Sequence, residues 1–139
     1  MRLLDVGSGG GLPGVVLAVM AGTCDVTCVD AVGKKAAFLR QAAGTLKLQN
    51  LHASHSRVED LRTPAFDVIT ARAFASLATL VSLTQQLLAP AGCWLAMKGQ
   101  RPDDEIAILP AAVEVFHVEH LQVPGLEAQR CLVWMRRAD

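Results

Sequence analysis

The sequence predicts a single α/β domain, a mostly parallel sheet covered by helices and finished by an antiparallel C-terminal hairpin. Three observations carry this. Short apolar or β-branched runs alternate with segments of helical period through most of the 139 residues, the pattern of strands joined by crossover helices. The apolar run Leu3-Leu4-Asp5-Val6 leads straight into five glycines within the eight positions Gly7 to Gly14, and Pro13-Gly14 opens a helical segment. Strand, glycine loop and helix together let backbone N–H groups approach a ligand without side chains in the way. The last two strand-like segments are joined through Pro124-Gly125, a connection suited to an antiparallel pair rather than another crossover.

Size and composition allow this reading. A chain of this length buries a core without disulfides or metal. Half the residues are apolar, and 13 Lys+Arg balance 13 Asp+Glu, so there is no whole-chain pull toward nucleic acid or membrane. No apolar run approaches the ~20 residues of a membrane span, and no signal peptide precedes the first strand. A monomer in the cytoplasm is the expectation. Cys24, Cys28, Cys93 and Cys131 each sit in apolar segments and read as buried free thiols.

In chain order, Val15–Ala21 is a short apolar helix stopped at Gly22. Asp25–Asp30 is a β-branched strand ending on an acid. Gly33–Leu48 is amphipathic, with Ala36, Phe38, Leu39, Ala42, Ala43 and Leu46 recurring at helical spacing and Lys34, Lys35, Arg40 and Lys47 elsewhere. Asn50–His55 is a weaker third strand, followed by the polar turn Ser56–Asp60. Phe66–Arg72 is the fourth strand. Leu77–Leu88 is helical by period, and Pro90-Ala91-Gly92 turns into a fifth strand, Cys93–Lys98. A polar loop and a short helix lead to Pro110. Val113–Val123 and Arg130–Arg136 form the hairpin.

The glycine loop fits two nucleotide patterns. Gly9-x-Gly11-x-x-Gly14, with Asp30 about 20 residues further on, satisfies the dinucleotide pattern that points to NAD. Asp5-x-Gly7-x-Gly9-x-Gly11 satisfies the acid-led loop of methyltransferases that bind S-adenosyl-methionine. Asp30 serves either, since a carboxylate can accept from two vicinal hydroxyls. The leading acid and the terminal hairpin, which is unlike a second mononucleotide half, favour the methyltransferase.

Asp5-Val-Gly-Ser-Gly-Gly-Gly-Leu-Pro-Gly14, Gly33-Lys-Lys, Ser56-Arg-Val-Glu59, Ala71-Arg-Ala-Phe-Ala-Ser76 and Lys98-Gly-Gln100 together resemble the ribosomal small-subunit methyltransferase G (GidB) family over essentially the whole chain. The resemblance implies a Rossmann-like class I S-adenosyl-methionine-dependent methyltransferase fold. It also implies methylation of nitrogen 7 of a guanine in bacterial 16S ribosomal RNA, with the small ribosomal subunit as partner. The family usually carries some tens of helical residues before the first strand, which are missing here; residues 1–139 then form one methyltransferase domain without its N-terminal extension. A cofactor-binding or ribosome-associated module, inactive in this form, is the alternative.

Carried over by position, Asp5, Gly7, Gly9, Gly11 and Leu12 form the methionine side of the cofactor site. Asp30 holds the ribose, and Val58 with Glu59 meets the adenine edge. Arg72 ends strand four, touching the cofactor and facing the transfer site. Lys98 and Gln100 follow strand five at the same rim and are both assigned to substrate contact, with Arg72 and Lys98 as the catalytic pair. Nitrogen 7 of guanine has a lone pair and no proton, so its attack on a sulfonium methyl requires no general base, in keeping with the absence of an obvious His or Cys nucleophile near the strand ends.

Each residue also has a plainer reading. Arg72 and Lys98 can be solvated strand-end charges. Ser56-x-x-Glu59 is a capping-box pattern. Lys34, Lys35, Arg40 and Lys47 can be a solvated helix face or an RNA contact. His52, His55, His117 and His120 show no convincing ligand spacing with the cysteines, and no metal is expected.

Overall fold

The computed structural model describes residues 1–7, 13–72, 75–121, 125 and 130–138. Seven strands form one sheet: β1 (Arg2–Val6), β2 (Asp25–Asp30), β3 (Leu51–His55), β4 (Phe66–Arg72), β5 (Leu88–Lys98), β6 (Val113–Leu121) and β7 (Arg130–Arg137). Their order across the sheet is β3-β2-β1-β4-β5-β7-β6. The first five are parallel to one another, while β7 runs antiparallel to both β5 and β6. The expected hairpin is present, with its second strand inserted beside β5. Chain direction across the sheet reverses between β1 and β4, which opens a crevice at the carboxyl ends of the strands.

Alternation along the strands divides the core. Leu3, Val26 and Cys28 pack with Ala18 of α1 (Gly14–Met20) and Leu39 of α2 (Gly33–Thr45). Leu4, Val6, Val29, Ile69, Trp94 and Val133 pack with Leu77, Leu80 and Val81 of α3 (Leu77–Thr84). Trp94, Phe66, Leu4 and Leu39 are fully buried, each contributing about 1.5–3 kcal/mol of transfer free energy. A short α4 (Asp103–Ala107) follows β5. Among the described residues no helix is long and apolar enough to cross a membrane. Cys24, Cys28 and Cys131 are buried free thiols, and Cys93 is half-buried.

The boundaries depart from the periodic reading where tertiary contacts intervene. The helix expected to reach Leu88 stops at Thr84 and tightens into a 3₁₀ turn over Gln85–Leu87. Arg137 ties this turn to the strand that follows: its guanidinium donates to the carbonyl of Gln85 at 2.6 Å and to those of Leu88 at 3.0 Å and Ala89 at 2.9 Å at the start of β5. The expected turn at Pro90-Ala91-Gly92 is a register irregularity inside β5, between the pairs Phe66–Leu88 and Val68–Cys93. α2 ends early at Thr45. There Lys47 adopts φ 54°, and the N–H groups of Lys47 and Leu48 return to the carbonyls of Gly44 at 3.2 Å and Ala43 at 2.9 Å, a Schellman ending. Asn50 precedes β3 and donates through Nδ2 to the carbonyls of Ala18 at 3.0 Å and Cys24 at 2.9 Å.

Candidate functional site

The carboxyl ends of β1, β2 and β3 converge on a cleft of about 440 Å³. At the end of β1, Gly7 adopts φ 71°, a conformation that side chains rarely tolerate, and donates to the Val29 carbonyl at 2.9 Å. This turns the chain out of the sheet beside β2. At the end of β2, Asp30 is nearly buried, and its Oδ1 accepts from the Val32 N–H at 2.9 Å. That bond holds the carboxylate at the cleft wall. Past β3, the Ser56 N–H donates to the Asp30 carbonyl at 3.1 Å, and a 3₁₀ turn over Val58–Asp60 closes the far side.

Gly7, Asp30, Val58 and Glu59, assigned to the cofactor from sequence, all line this cleft. Val58 is buried and Glu59 exposed. The capping-box reading of Ser56 does not hold, because the Ser56 hydroxyl donates to the Arg57 carbonyl at 2.7 Å and the turn has no side-chain cap. Glu59 is thereby released for the cleft. Gly9, Gly11 and Leu12 lie outside the described residues. Sequence reasoning did not assign the other lining residues, among them Lys35, Arg57 and Leu83. Lys35 had been grouped with a solvated basic face; its place at the start of α2, directly after the Asp30 strand end, was the available signal.

Asp5, also assigned to the cofactor from sequence, makes a contact within the fold. It is fully buried, does not line the cleft, and its Oδ2 accepts from the Gly14 N–H at 2.8 Å. A Cβ on Gly14 would collide with the Cys28 sulfur and lie 2.7 Å from that same oxygen. Asp5 therefore fastens the start of α1 to the end of β1.

Arg72 and Lys98 stand apart from the cleft, at the ends of β4 and β5. Arg72 is exposed and pairs across the sheet with Met97, directly before Lys98. The Lys98 ammonium is engaged: Nζ donates to the Ala75 carbonyl at 2.9 Å and lies 3.1 Å from Glu105 Oε1. The same Glu105 oxygen accepts from the Leu77 N–H at 2.9 Å. The Gln100 carbonyl accepts from the Cys131 thiol at 3.7 Å.

A parallel sheet with its crevice at the chain reversal, a tight glycine exit from β1 and an acid at the end of β2 suit an adenosyl or dinucleotide ligand equally. Comparison with known proteins decides between the families. The family described as rRNA small subunit methyltransferase G (GidB) matches residues 1–133. The chain belongs to that family.

A ribosomal RNA small subunit methyltransferase G of Acidovorax sp. (strain JS42) is 64% identical over 135 residues, spanning 97% of this chain and 59% of the relative. The chain thus covers little more than half the length of such relatives. Among solved structures, TrmN from Thermus thermophilus superposes with a TM-score of 0.76 at 19% identity, covering 99% of this chain and 44% of that one. A coclaurine N-methyltransferase bound to N-methylheliamine and SAH gives 0.72 at 13% identity, over 86% of this chain and 46% of that one. The fold is that of class I S-adenosyl-methionine-dependent methyltransferases, as the sequence predicted.

Proposed function

We propose that this chain binds S-adenosyl-methionine in the β1–β2–β3 cleft and directs methyl transfer to nitrogen 7 of a guanine in 16S ribosomal RNA, with the small ribosomal subunit as partner and the cytoplasm as its compartment. The observation that carries the reading is the convergence of Gly7, Asp30, Val58 and Glu59 on one cleft within a chain of this family. The donor set fits the cofactor. Asp30, held through one oxygen, suits a ribose diol. The backbone of Val58 and the carboxylate of Glu59 suit the donor and acceptor edge of adenine, and the positive φ of Gly7 keeps side chains out of the methionine side.

When bound, the cofactor supplies an electrophilic sulfonium methyl. The protein's part is then positioning and field rather than proton transfer, because the attacking nitrogen carries no proton. Arg72, exposed at the carboxyl end of β4, is the residue we assign to the transfer site, where its planar cation can engage the guanine edge or a neighbouring phosphate.

Calorimetric titration tests the cofactor half. S-adenosyl-methionine is expected to bind with one site and NAD not at all, and Asp30→Ala is expected to weaken binding by about tenfold or more, the cost of a lost charge-assisted hydrogen bond. Binding of NAD in preference to S-adenosyl-methionine would overturn the reading.

A further inference from the structure

We infer that Glu105 is a positioning residue for the transfer site, acting with Lys98 as a clamp on the segment that follows Arg72. The inference rests on the proposed transfer reaction for its purpose, but its geometry stands alone. One oxygen of Glu105, Oε1, takes both the Leu77 N–H at 2.9 Å and the Lys98 ammonium at 3.1 Å. Lys98 then reaches the Ala75 carbonyl at 2.9 Å. The chain that leaves β4 after Arg72 is therefore held at Ala75 and Leu77, from α4 and from the end of β5.

Three features make this a clamp rather than a surface ion pair. The Lys98 side chain is only 17% exposed and that of Glu105 33%, so screening by solvent is reduced. Leu77 is the first residue of α3, where backbone N–H groups lack intrahelical partners and a carboxylate is favoured by the helix dipole. Ser76 caps the same helix end, its hydroxyl accepting from the Thr79 N–H at 3.2 Å, so Glu105 and Ser76 serve two different open N–H groups. Ala75 and Leu77, fixed this way, lie three and five residues after Arg72, and restricting them restricts where that arginine can be presented, on which transfer chemistry without a general base depends.

The geometry also reassigns Lys98. An ammonium already bound to a carbonyl and a carboxylate is poorly placed to be given up to RNA phosphate, so Lys98 positions rather than touches substrate. The pair should behave as one unit, and losing both partners should cost little more than losing either.

Kinetics and exchange on this chain test the clamp together. Glu105→Ala and Lys98→Met are each expected to lower kcat for methyl transfer to small subunits by about tenfold. The dissociation constant for S-adenosyl-methionine and the KM for subunits should stay within about twofold. The double variant should match the single ones, and Glu105→Gln, which keeps an acceptor for Leu77, should fall between wild type and Glu105→Ala. Amide exchange at Leu77 should accelerate in Glu105→Ala. An unchanged kcat overturns the proposal, as does a rise in subunit KM with a flattened salt dependence in Lys98→Met, the mark of a lost phosphate contact. If the wild-type chain transfers no methyl group, the functional reading fails while the exchange measurement still decides the clamp: unchanged exchange at Leu77 overturns it.

Discussion

The carboxylate of Asp5 accepts a hydrogen bond from the backbone N–H of Gly14 at 2.8 Å, so the strand before the glycine loop holds the first residue of the helix after it. The residues on either side of the loop are thereby tied together. Asp5→Ala leaves the Gly14 N–H without this acceptor in a buried setting and is expected to cost about 1–3 kcal/mol. Gly14→Ala forces a methyl group against Cys28 and Asp5 and is expected to cost a similar ~1–3 kcal/mol of overpacking. Urea unfolding measures both, and calorimetry should show weaker cofactor binding in each. A Gly14→Ala protein of wild-type stability would mean that the helix does not approach β1 this closely.

Asn50 makes a separate structural tie. Its side-chain amide serves the carbonyls of Ala18 and Cys24, which finish α1 and start the approach to β2. Asn50→Ala is expected to destabilise by about 1–3 kcal/mol through the unpaired carbonyls, leaving cofactor affinity at saturating folded protein unchanged. The urea midpoint reads the first outcome and titration the second.

Lys47 stands at φ 54° in the turn that ends α2. The left-handed conformation costs a side-chain-bearing residue roughly 1 kcal/mol that glycine escapes. Lys47→Gly is therefore expected to stabilise the protein, by up to about 1 kcal/mol once glycine's greater freedom in the unfolded chain is set against it. Thermal unfolding should show a higher midpoint.

Alkaline stability should be governed by thiols. Burial raises Cys24, Cys93 and Cys131 above the ordinary thiol range. Between the unfolded and folded values the native state holds more protons, so this contribution is complete below the unfolded value and is lost as pH rises toward the folded one. The sequence has no tyrosine to titrate in the same range. The urea midpoint is expected to begin falling above about pH 8.5, and Cys93→Ala, whose shift is caused by burial alone, should make that fall shallower.

Much of this architecture was legible in the sequence because the relevant interactions are local. The β-branched run Asp25–Asp30 and the apolar stripe of α2 announce themselves by composition and period. The acid at Asp30 was readable because a strand end beside a glycine loop has few other uses for a buried carboxylate. What stayed hidden depends on partners far away in the chain. The turn after α3 is tied to Arg137, 52 residues after Gln85, and no local pattern reports that. The bond from Gly14 to Asp5 shows only once α1 is packed against β1. The contact of Lys98 with Glu105 was hidden as well, since Glu105 lies beyond a polar loop. The place of β7 between β5 and β6 was likewise beyond a periodicity that can report a hairpin but not its orientation on the sheet.

The most direct test uses this chain with methyl-labelled S-adenosyl-methionine and small ribosomal subunits that lack the modification, followed by digestion of the 16S RNA to nucleosides. The account predicts label in 7-methylguanosine. It also predicts loss of at least about a hundredfold in rate for Arg72→Ala, with cofactor affinity retained within about threefold, as for removal of one group that stabilises a transition state. Label in a different nucleoside, or an undiminished rate in Arg72→Ala, would contradict it.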